Sequence, residues 1–435
     1  MRSPISWRSL LLVVLGGVLF FGLNGQRAAH AGGPLIVGGS FGVDAQPFTW
    51  DTTNPINYTT DGGMLGTLSE TEANDRVATM FQVWADVSTA TISFSRAGPI
   101  MNVGAFTDTD VDTMDEFDAV EGDCSNGNQS PIVYDADGSL FDDLVGDPNV
   151  IGFAGPCLLD PNGRILSAEA ALNGRFLDGI DDSTLTPPNL ELTDAEFNAA
   201  FIHEFGHFSG LDHSQINLNC LVTGCADGSD DAFGLPTMFP ILISSLEESS
   251  GIPAQFTLAP DDIGWISRLY PAAGPGGFDA TFGTIEGTIF FSDGQTPAQG
   301  VNVIARQEDD SGTPGIDESR RNAVSVVSGY LFTGNPGQSV TGTNPGSFFG
   351  SLTPTLVGFY RIPGLLPGNY TIEVESINEG FDAGSGVGPL NPPIPMPGTA
   401  PSPAGPVTID LMMSPLVTVD ITLVGTPPRF DQFEN

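Results

Sequence analysis

Five residues between positions 203 and 213 have the types and the spacing that a catalytic metal site requires. His203 and His207 are four positions apart, so on an α-helix their imidazoles share one face and can reach one metal ion. Gly210 can adopt the left-handed backbone that ends a helix, which lets His213 approach from the following loop. Three neutral nitrogens leave one position open on zinc, as is typical of catalytic rather than structural sites.

Glu204 lies one residue beyond the first histidine and is therefore rotated by about 100° around the helix. It cannot join the imidazoles as a ligand on their face, but it can act as general base for a water molecule beside the metal. The pattern predicts hydrolysis of an amide, and specifically of a peptide bond. The alternative interpretation is three ordinary core or surface histidines. It leaves unexplained why three of the four histidines in the chain fall within this short stretch.

Residues 203–213, HEFGHFSGLDH, resemble the zinc signature H-E-x-x-H-x-x-G-x-x-H of the metzincin metallopeptidases. Residues 236–240 resemble the Met-turn that lies beneath the metal in that family, which assigns Met238 to this position. Ser214 directly follows the third histidine, as it does in the matrixin branch of the metzincins. The resemblance covers 48–271 and implies an α+β domain, with a twisted mixed sheet and three helices.

The same resemblance assigns roles to two further parts of the chain. Ile165–Leu172 would be the edge strand along which an extended peptide substrate binds. Asp261 and Asp262, in the first turn of the family's last helix, would support the Met-turn from behind. The alternative for these two acids is a simple interaction with the helix dipole.

Two capping boxes predict two helices, one of which carries the histidines. Ser69 with Glu72 begins a helix over 70–87, and Thr193 with Glu196 begins the helix that contains the metal motif. Alternating apolar residues predict short strands, which lie at Thr91–Phe94, Val150–Phe153 and Ile165–Leu172.

Residues 107–148 are rich in acids and are predicted to form a loop. Within this loop Asp135 and Asp137 lie close in sequence to Asp142 and Asp143, and clustered carboxylates suit a hard cation such as calcium. The nearby glycine is misplaced for an EF-hand. The alternative is an ordinary acidic loop in an acidic chain.

The four cysteines predict two disulfides and an oxidising compartment. Cys220 and Cys225 are five positions apart and are predicted to pair with each other, which leaves Cys124 to pair with Cys157. No C-x-x-C pattern is present, so a cysteine-based metal site is disfavoured.

The first 31 residues predict a secretion signal. Arg2 and Arg8 supply positive charge, residues 10–23 are apolar, and Ala29-His30-Ala31 fits the cleavage pattern. The alternative, a membrane anchor, would need an apolar run of about 20 residues. The chain is therefore predicted to be secreted and extracellular, with no membrane attachment after cleavage.

The remaining segments complete the predicted domain organisation. A short leader at 32–47 precedes the metzincin-like domain, and a linker at 272–281 follows it. Residues 282–435 are predicted to form an all-β sandwich that includes a Pro- and Gly-rich segment at 383–406. Three segments of this part resemble the carboxypeptidase-regulatory-like sandwich: Ile285–Ile289, Gly300–Val303 and Tyr360–Tyr370.

Charge and composition limit the possible partners. With 13 basic and 53 acidic side chains, the formal net charge is −40, which repels nucleic acids and anionic membranes. The predicted function is a secreted zinc endopeptidase acting on protein or peptide substrates, and the sequence does not indicate an oligomeric state. The alternative is a catalytically silent metzincin-fold binding or adhesion protein that acts through its β-sandwich.

Overall fold

The computed structural model describes residues 33–38, 41–101, 109–146, 149–180, 191–217, 220, 225, 229–243, 254–298, 301–309, 312, 316–328, 354–356, 358–376 and 406–424. The predicted secretion signal at 1–31 and nearly all of the Pro- and Gly-rich segment at 383–406 lie outside these ranges. The described residues combine several sheets with few helices, in agreement with the predicted α+β class.

A five-stranded sheet organises the first part of the chain. Its spatial order is β2-β1-β3-β5-β4, and all neighbours are parallel except β4, which runs antiparallel to β5 at one edge. The strands are β1 Ile56–Thr60, β2 Phe94–Pro99, β3 Pro131–Asp135, β4 Gly152–Leu159 and β5 Ile165–Asn173.

Two long helices cover one face of this sheet, and both begin at the predicted capping boxes. Helix α1 spans Glu70–Ala85 and helix α4 spans Asp194–Phe208, and both capping boxes are formed. The Phe81 ring of α1 stacks on the Phe205 ring of α4 with 3.7 Å between centroids. The indole nitrogen of Trp84 donates to the carbonyl of Ile202 at 2.8 Å. Helix α1 thus fixes the position of the helix that contains the metal motif.

The prediction that 107–148 is a loop is wrong. This segment forms helix α2 Met114–Ser125, strand β3 and helix α3 Ser139–Leu144. Its aromatic and aliphatic side chains pack on the second face of the sheet, where Val133 belongs to a cluster separate from that of its neighbours in β3. The many acids obscure a capping box at the start of α2, in which Thr113 and Glu116 bond each other's backbone.

The other short helices connect these elements. They are α5 Asp230–Phe233, α6 Pro260–Leu269, α7 Phe278–Thr281, α8 Glu318–Arg321, and the 3₁₀ turns Gly174–Leu177, Ala254–Phe256 and Pro354–Leu356.

Within its described residues, the regular structure of the C-terminal part is mainly β, as predicted, and the strands form two four-stranded sheets. One has the order β11-β10-β7-β8, and in the other β6 pairs with β12, β13 and β9. The strands are β6 Gly283–Phe290, β7 Val301–Gln307, β8 Ala323–Val327, β9 Phe359–Leu365, β10 Gly368–Ser376, β11 Val407–Ile409, β12 Leu416–Thr418 and β13 Ile421–Thr422.

The predicted linker at 272–281 does not separate two cores. The nitrogen of Ala272 donates to the carbonyl of Thr89, and Phe278 is buried. One continuous cluster of buried apolar side chains includes residues from both sides of this segment. The C-terminal sheets are therefore packed onto the first part rather than suspended from it.

The predicted leader at 32–47 contributes to the same core. Leu35, Ile36 and Val37 are buried, and the nitrogen of Leu35 donates to the carbonyl of Gly210 at 2.8 Å. This segment runs beside the backbone that leads to the third histidine. Its apolar residues are explained by this contact, which the sequence pattern did not indicate.

Candidate metal centre

The end of α4 brings the three predicted ligands into range of one another. His203 and His207 lie on its last two turns, and the helix ends at the cap Ser209. Gly210 has the expected left-handed backbone, with φ of 89°. The chain turns there, and His213 approaches the two helical imidazoles from the following segment.

The Nε2 atoms of the three histidines lie 3.0 to 3.1 Å from one another. The centre of such a triangle is about 1.8 Å from each nitrogen, slightly inside a zinc–nitrogen bond of about 2.0–2.1 Å. The three nitrogens are therefore close enough together that one ion could be held by all of them. The group is buried, and it could hold a metal ion.

The outer ring nitrogens decide the tautomers of two of these rings. Nδ1 of His203 donates to the carbonyl of Thr237 at 2.7 Å, and Nδ1 of His207 donates to the carbonyl of Leu211 at 2.8 Å. Since a carbonyl can only accept, each neutral ring has its proton on Nδ1 and a lone pair on Nε2. No proton therefore lies between the two Nε2 atoms of this pair, although they are close together. A cation bound by both nitrogens would relieve the repulsion between their lone pairs.

Burial keeps these rings neutral. Desolvation lowers the pKa of His203 well below its ordinary value and lowers the pKa of His207 to about 4. The nitrogens are thus available to a metal at neutral pH without first losing a proton.

Glu204 is fully buried beside the histidines on the same helix. Neither of its carboxylate oxygens has a hydrogen-bond partner within the described part of the protein. Burial raises the pKa of this carboxyl well above its ordinary value. A buried carboxyl group without partners is costly, so it indicates a group whose partner is a ligand or a reacting molecule.

Met238 lies directly beneath the histidine helix, where the resemblance places it. A Cβ on Gly206 would overlap the Met238 sulfur, so any larger residue here requires that side chain to shift. Asp262 holds the turn from behind, since its carboxylate accepts from the backbone nitrogens of Thr237 and Met238 at 2.9 and 3.0 Å. Because the carbonyl of Thr237 orients His203, this contact also acts on the ring.

Asp261 does not share that role. Its carboxylate accepts from the backbone nitrogen of Ser325 in β8 at 2.8 Å and lies beside the hydroxyl of Ser214. The expectation that both acids contact the Met-turn is therefore correct for Asp262 alone. The reason is rotation around the helix, which directs adjacent side chains about 100° apart.

The prediction that Ile165–Leu172 is the edge strand is wrong. Ile165–Leu172 lies within β5, which has neighbours on both sides, and among the described strands β4 forms the edge of the sheet next to α4. Gly152 of β4 lies against Glu204, and a Cβ there would be 2.9 Å from its Cγ. Both strands are apolar, so the sequence alone does not decide which of them is outermost.

Calcium binding at Asp135 and Asp137 stays a prediction, because the contacts of these side chains do not support it. Asp135 accepts from the nitrogens of Gly138 and Phe141, and Asp137 accepts from the nitrogen of Ser139, as in ordinary turns. Arg175 pairs with both oxygens of Asp142. Among the described residues, neither group of three converging ligands includes these acids.

The second converging group consists of Cys124, Cys157 and Glu169, but its two sulfurs are bonded to each other. Cys220 and Cys225 form the other disulfide, so both predicted pairings are confirmed. No helix in the described ranges has the length and apolar character needed to cross a bilayer.

Several contacts of the site are not visible in the sequence motif. The carbonyls of Thr237 and Leu211 fix the tautomers, and Gly152 brings the edge strand close to Glu204. Carbonyl acceptors leave no signal in residue identity. The glycine is a weak signal, because the chain contains 55 of them.

Comparison with known proteins gives little further information. No protein-family model matches the chain, and no protein of curated function matches it in sequence. Among solved structures it is similar to BcpA, the major pilin subunit of Bacillus cereus, with 15% identity and a TM-score of 0.17. The match covers 33% of this chain and 30% of that chain, and at this TM-score it carries no argument about fold or function.

Proposed function

We propose that the protein is a secreted zinc endopeptidase of the metzincin type, similar to the matrixins. The proposal rests on one observation: three Nε2 atoms 3.0 to 3.1 Å apart converge beside Glu204, a buried carboxyl without a hydrogen-bond partner among the described residues. Two disulfides support an oxidising compartment outside the cytoplasm.

The donor set fits zinc better than calcium or magnesium. Those harder cations prefer oxygen ligands, whereas neutral imidazole suits zinc and its transition-metal neighbours. When bound, zinc supplies a Lewis acid that lowers the pKa of water to about 7 and polarises a carbonyl. Each helical histidine is oriented by a backbone carbonyl, as is usual for metal ligands.

The protein's own groups would divide the remaining work. Glu204 takes a proton from the attacking water on a carboxylate oxygen and passes it to the nitrogen of the leaving amine. Because β4 is the edge strand beside α4, an extended peptide can add to it through backbone hydrogen bonds. The carbonyl to be attacked would then lie near Gly152 and Glu204.

The test combines a metal assay with a cleavage assay on the purified protein. We expect about one zinc per chain and chelator-sensitive cleavage of an unfolded protein substrate. Glu204→Ala should retain the zinc and lose cleavage, because only the proton-transfer group is removed. As a matched control, Glu196→Ala removes the acid that caps the same helix and should retain cleavage in its folded fraction.

The competing function is a binding protein with a silent metal site. It would be indicated by wild-type protein that holds zinc but hydrolyses no member of a broad peptide library. Wild-type protein that binds no zinc would contradict the metal site itself.

A further inference from the structure

Helix α6 lies between the histidine site and the edge of a C-terminal sheet. Among the described strands β8 is the last of its sheet, so the backbone groups on its outer side have no partner in another described strand. Two side chains of α6 bond the backbone groups of Ser325 on this side of β8. Asp261 accepts from the nitrogen of Ser325, and the indole nitrogen of Trp265 donates to the carbonyl of Ser325 at 3.0 Å.

The same helix is pressed close to the neighbouring strand β9. A Cβ on Gly264 would lie 3.2 Å from the Cα of Gly364, and a Cβ on Gly364 would overlap Gly264 itself. The backbones can approach this closely only because both positions are glycine. Helix α6 and strand β9 are therefore closely packed against each other.

The other end of this interface is the metal centre. The Asp261 carboxylate also lies beside the hydroxyl of Ser214, the residue after the third histidine. The nitrogen of Ser214 donates in turn to the carbonyl of Met238 at 2.7 Å. A single buried carboxylate thus joins β8 to the segment that carries His213 and to the turn beneath the histidines.

We propose that Asp261 is a positioning residue through which the edge strand β8 holds the His213 segment in place, so that the C-terminal sheet is part of the metal centre. The proposal deepens the proposed function, since it assumes that the three histidines bind a metal. It assigns the sheet a role other than that of a spacer or an independent binding domain.

The experiment measures metal affinity rather than cleavage, on full-length protein. Zn²⁺ affinity is obtained by competition with a chromophoric chelator, and the symmetry of the site from the visible absorption of the Co²⁺-substituted protein. We expect Asp261→Ala to weaken Zn²⁺ binding about 10- to 100-fold, the usual range for groups that orient ligands, and to change the Co²⁺ spectrum.

Two further variants separate positioning from general loss of stability. Asp261→Asn retains an oxygen for the nitrogen of Ser325, and the hydroxyl of Ser214 can rotate to accept from the new amide. Its Zn²⁺ affinity should lie within about threefold of wild type, on the scale of one preserved hydrogen bond. Arg321→Ala removes the ion pair with Asp230 and the packing on Phe233, which join the same two parts of the chain elsewhere.

Arg321→Ala should lower thermal stability but leave both metal readouts unchanged. Equal metal affinity in wild type and Asp261→Ala would overturn the proposal, as would equal losses in Asp261→Ala and Arg321→Ala. If Asp261→Ala does not fold, a large loss of affinity in folded Asp261→Asn would overturn it instead. Failure of the wild type to bind Zn²⁺ would refute the proposed function and is distinct from these outcomes.

Discussion

At the scale of single residues, the histidine site depends on a glycine as well as on its histidines. Gly206 lies between His203 and His207 in sequence, and a side chain there would be directed at Met238 and the ring of Trp84. The Trp84 ring cannot easily move, because its nitrogen is bonded to the carbonyl of Ile202. The two x positions of the H-E-x-x-H motif are therefore not equivalent, and one of them must be small.

We predict that Gly206→Ala destabilises the protein by about 1–3 kcal/mol, the usual penalty of overpacking a core. The added methyl would overlap Met238 and lie 2.9 Å from the Trp84 ring. Denaturant unfolding of the metal-free protein measures this change.

Gly122→Ala is the matched control for that substitution. Gly122 is an exposed residue of helix α2, and a Cβ there meets no atom within 4 Å. Alanine should therefore stabilise the helix by about 0.5–1 kcal/mol. Two destabilisations of equal size would contradict the close contact beneath the histidines.

The residues of the metal motif could be predicted from the sequence because their chemistry is local. His203 and His207 share a helix face by spacing alone, and the structure places all three Nε2 atoms together. The partner of Asp261 could not be predicted. Ser325 contributes a backbone nitrogen from 64 positions away, and nearly any other residue type would contribute the same group.

At the scale of elements, the edge strand β4 is held from two directions. It pairs with β5 along one side, and Cys157 joins it to Cys124 at the end of helix α2. The sequence predicted this disulfide but not the helix, because acids mask the apolar stripe of α2. Phe117 and Val120 form that stripe, and both are buried.

We predict that removing the two disulfides has unequal effects on stability. The Cys124–Cys157 bond closes a separation of 33 residues, and Cys220–Cys225 closes one of 5. Chain entropy assigns about 4 kcal/mol to the longer loop and about 2 kcal/mol to the shorter one. Comparing Cys124→Ala/Cys157→Ala with Cys220→Ala/Cys225→Ala in urea unfolding checks this order. A larger loss from the shorter loop would mean that native contacts, and not loop entropy, decide the result.

At the scale of the whole molecule, the large negative charge and the buried acids both lower the stability of the folded protein as pH rises. The formal charge of −40 makes the folded chain repel itself, and this repulsion grows as acids ionise. Burial raises the pKa of both Asp61 and Asp261 to about 7, even though backbone nitrogens donate to each carboxylate. Both side chains are buried.

We predict that the free energy of unfolding of the zinc-loaded protein falls as pH rises from 6.5 to 7.5. An acid whose pKa is raised on folding contributes stability that is fully present below its unfolded pKa and is lost as pH rises through the folded value. Asp61 and Asp261 together should account for about 1 kcal/mol of the decrease over this interval. Urea unfolding at about 1 M salt isolates this part, because surface repulsion is then screened. Asp61→Asn cannot ionise and should make the remaining slope shallower, whatever its effect on absolute stability. A stability that is constant or rises over this interval in high salt would show that these carboxyls are already ionised in the folded protein at pH 6.5.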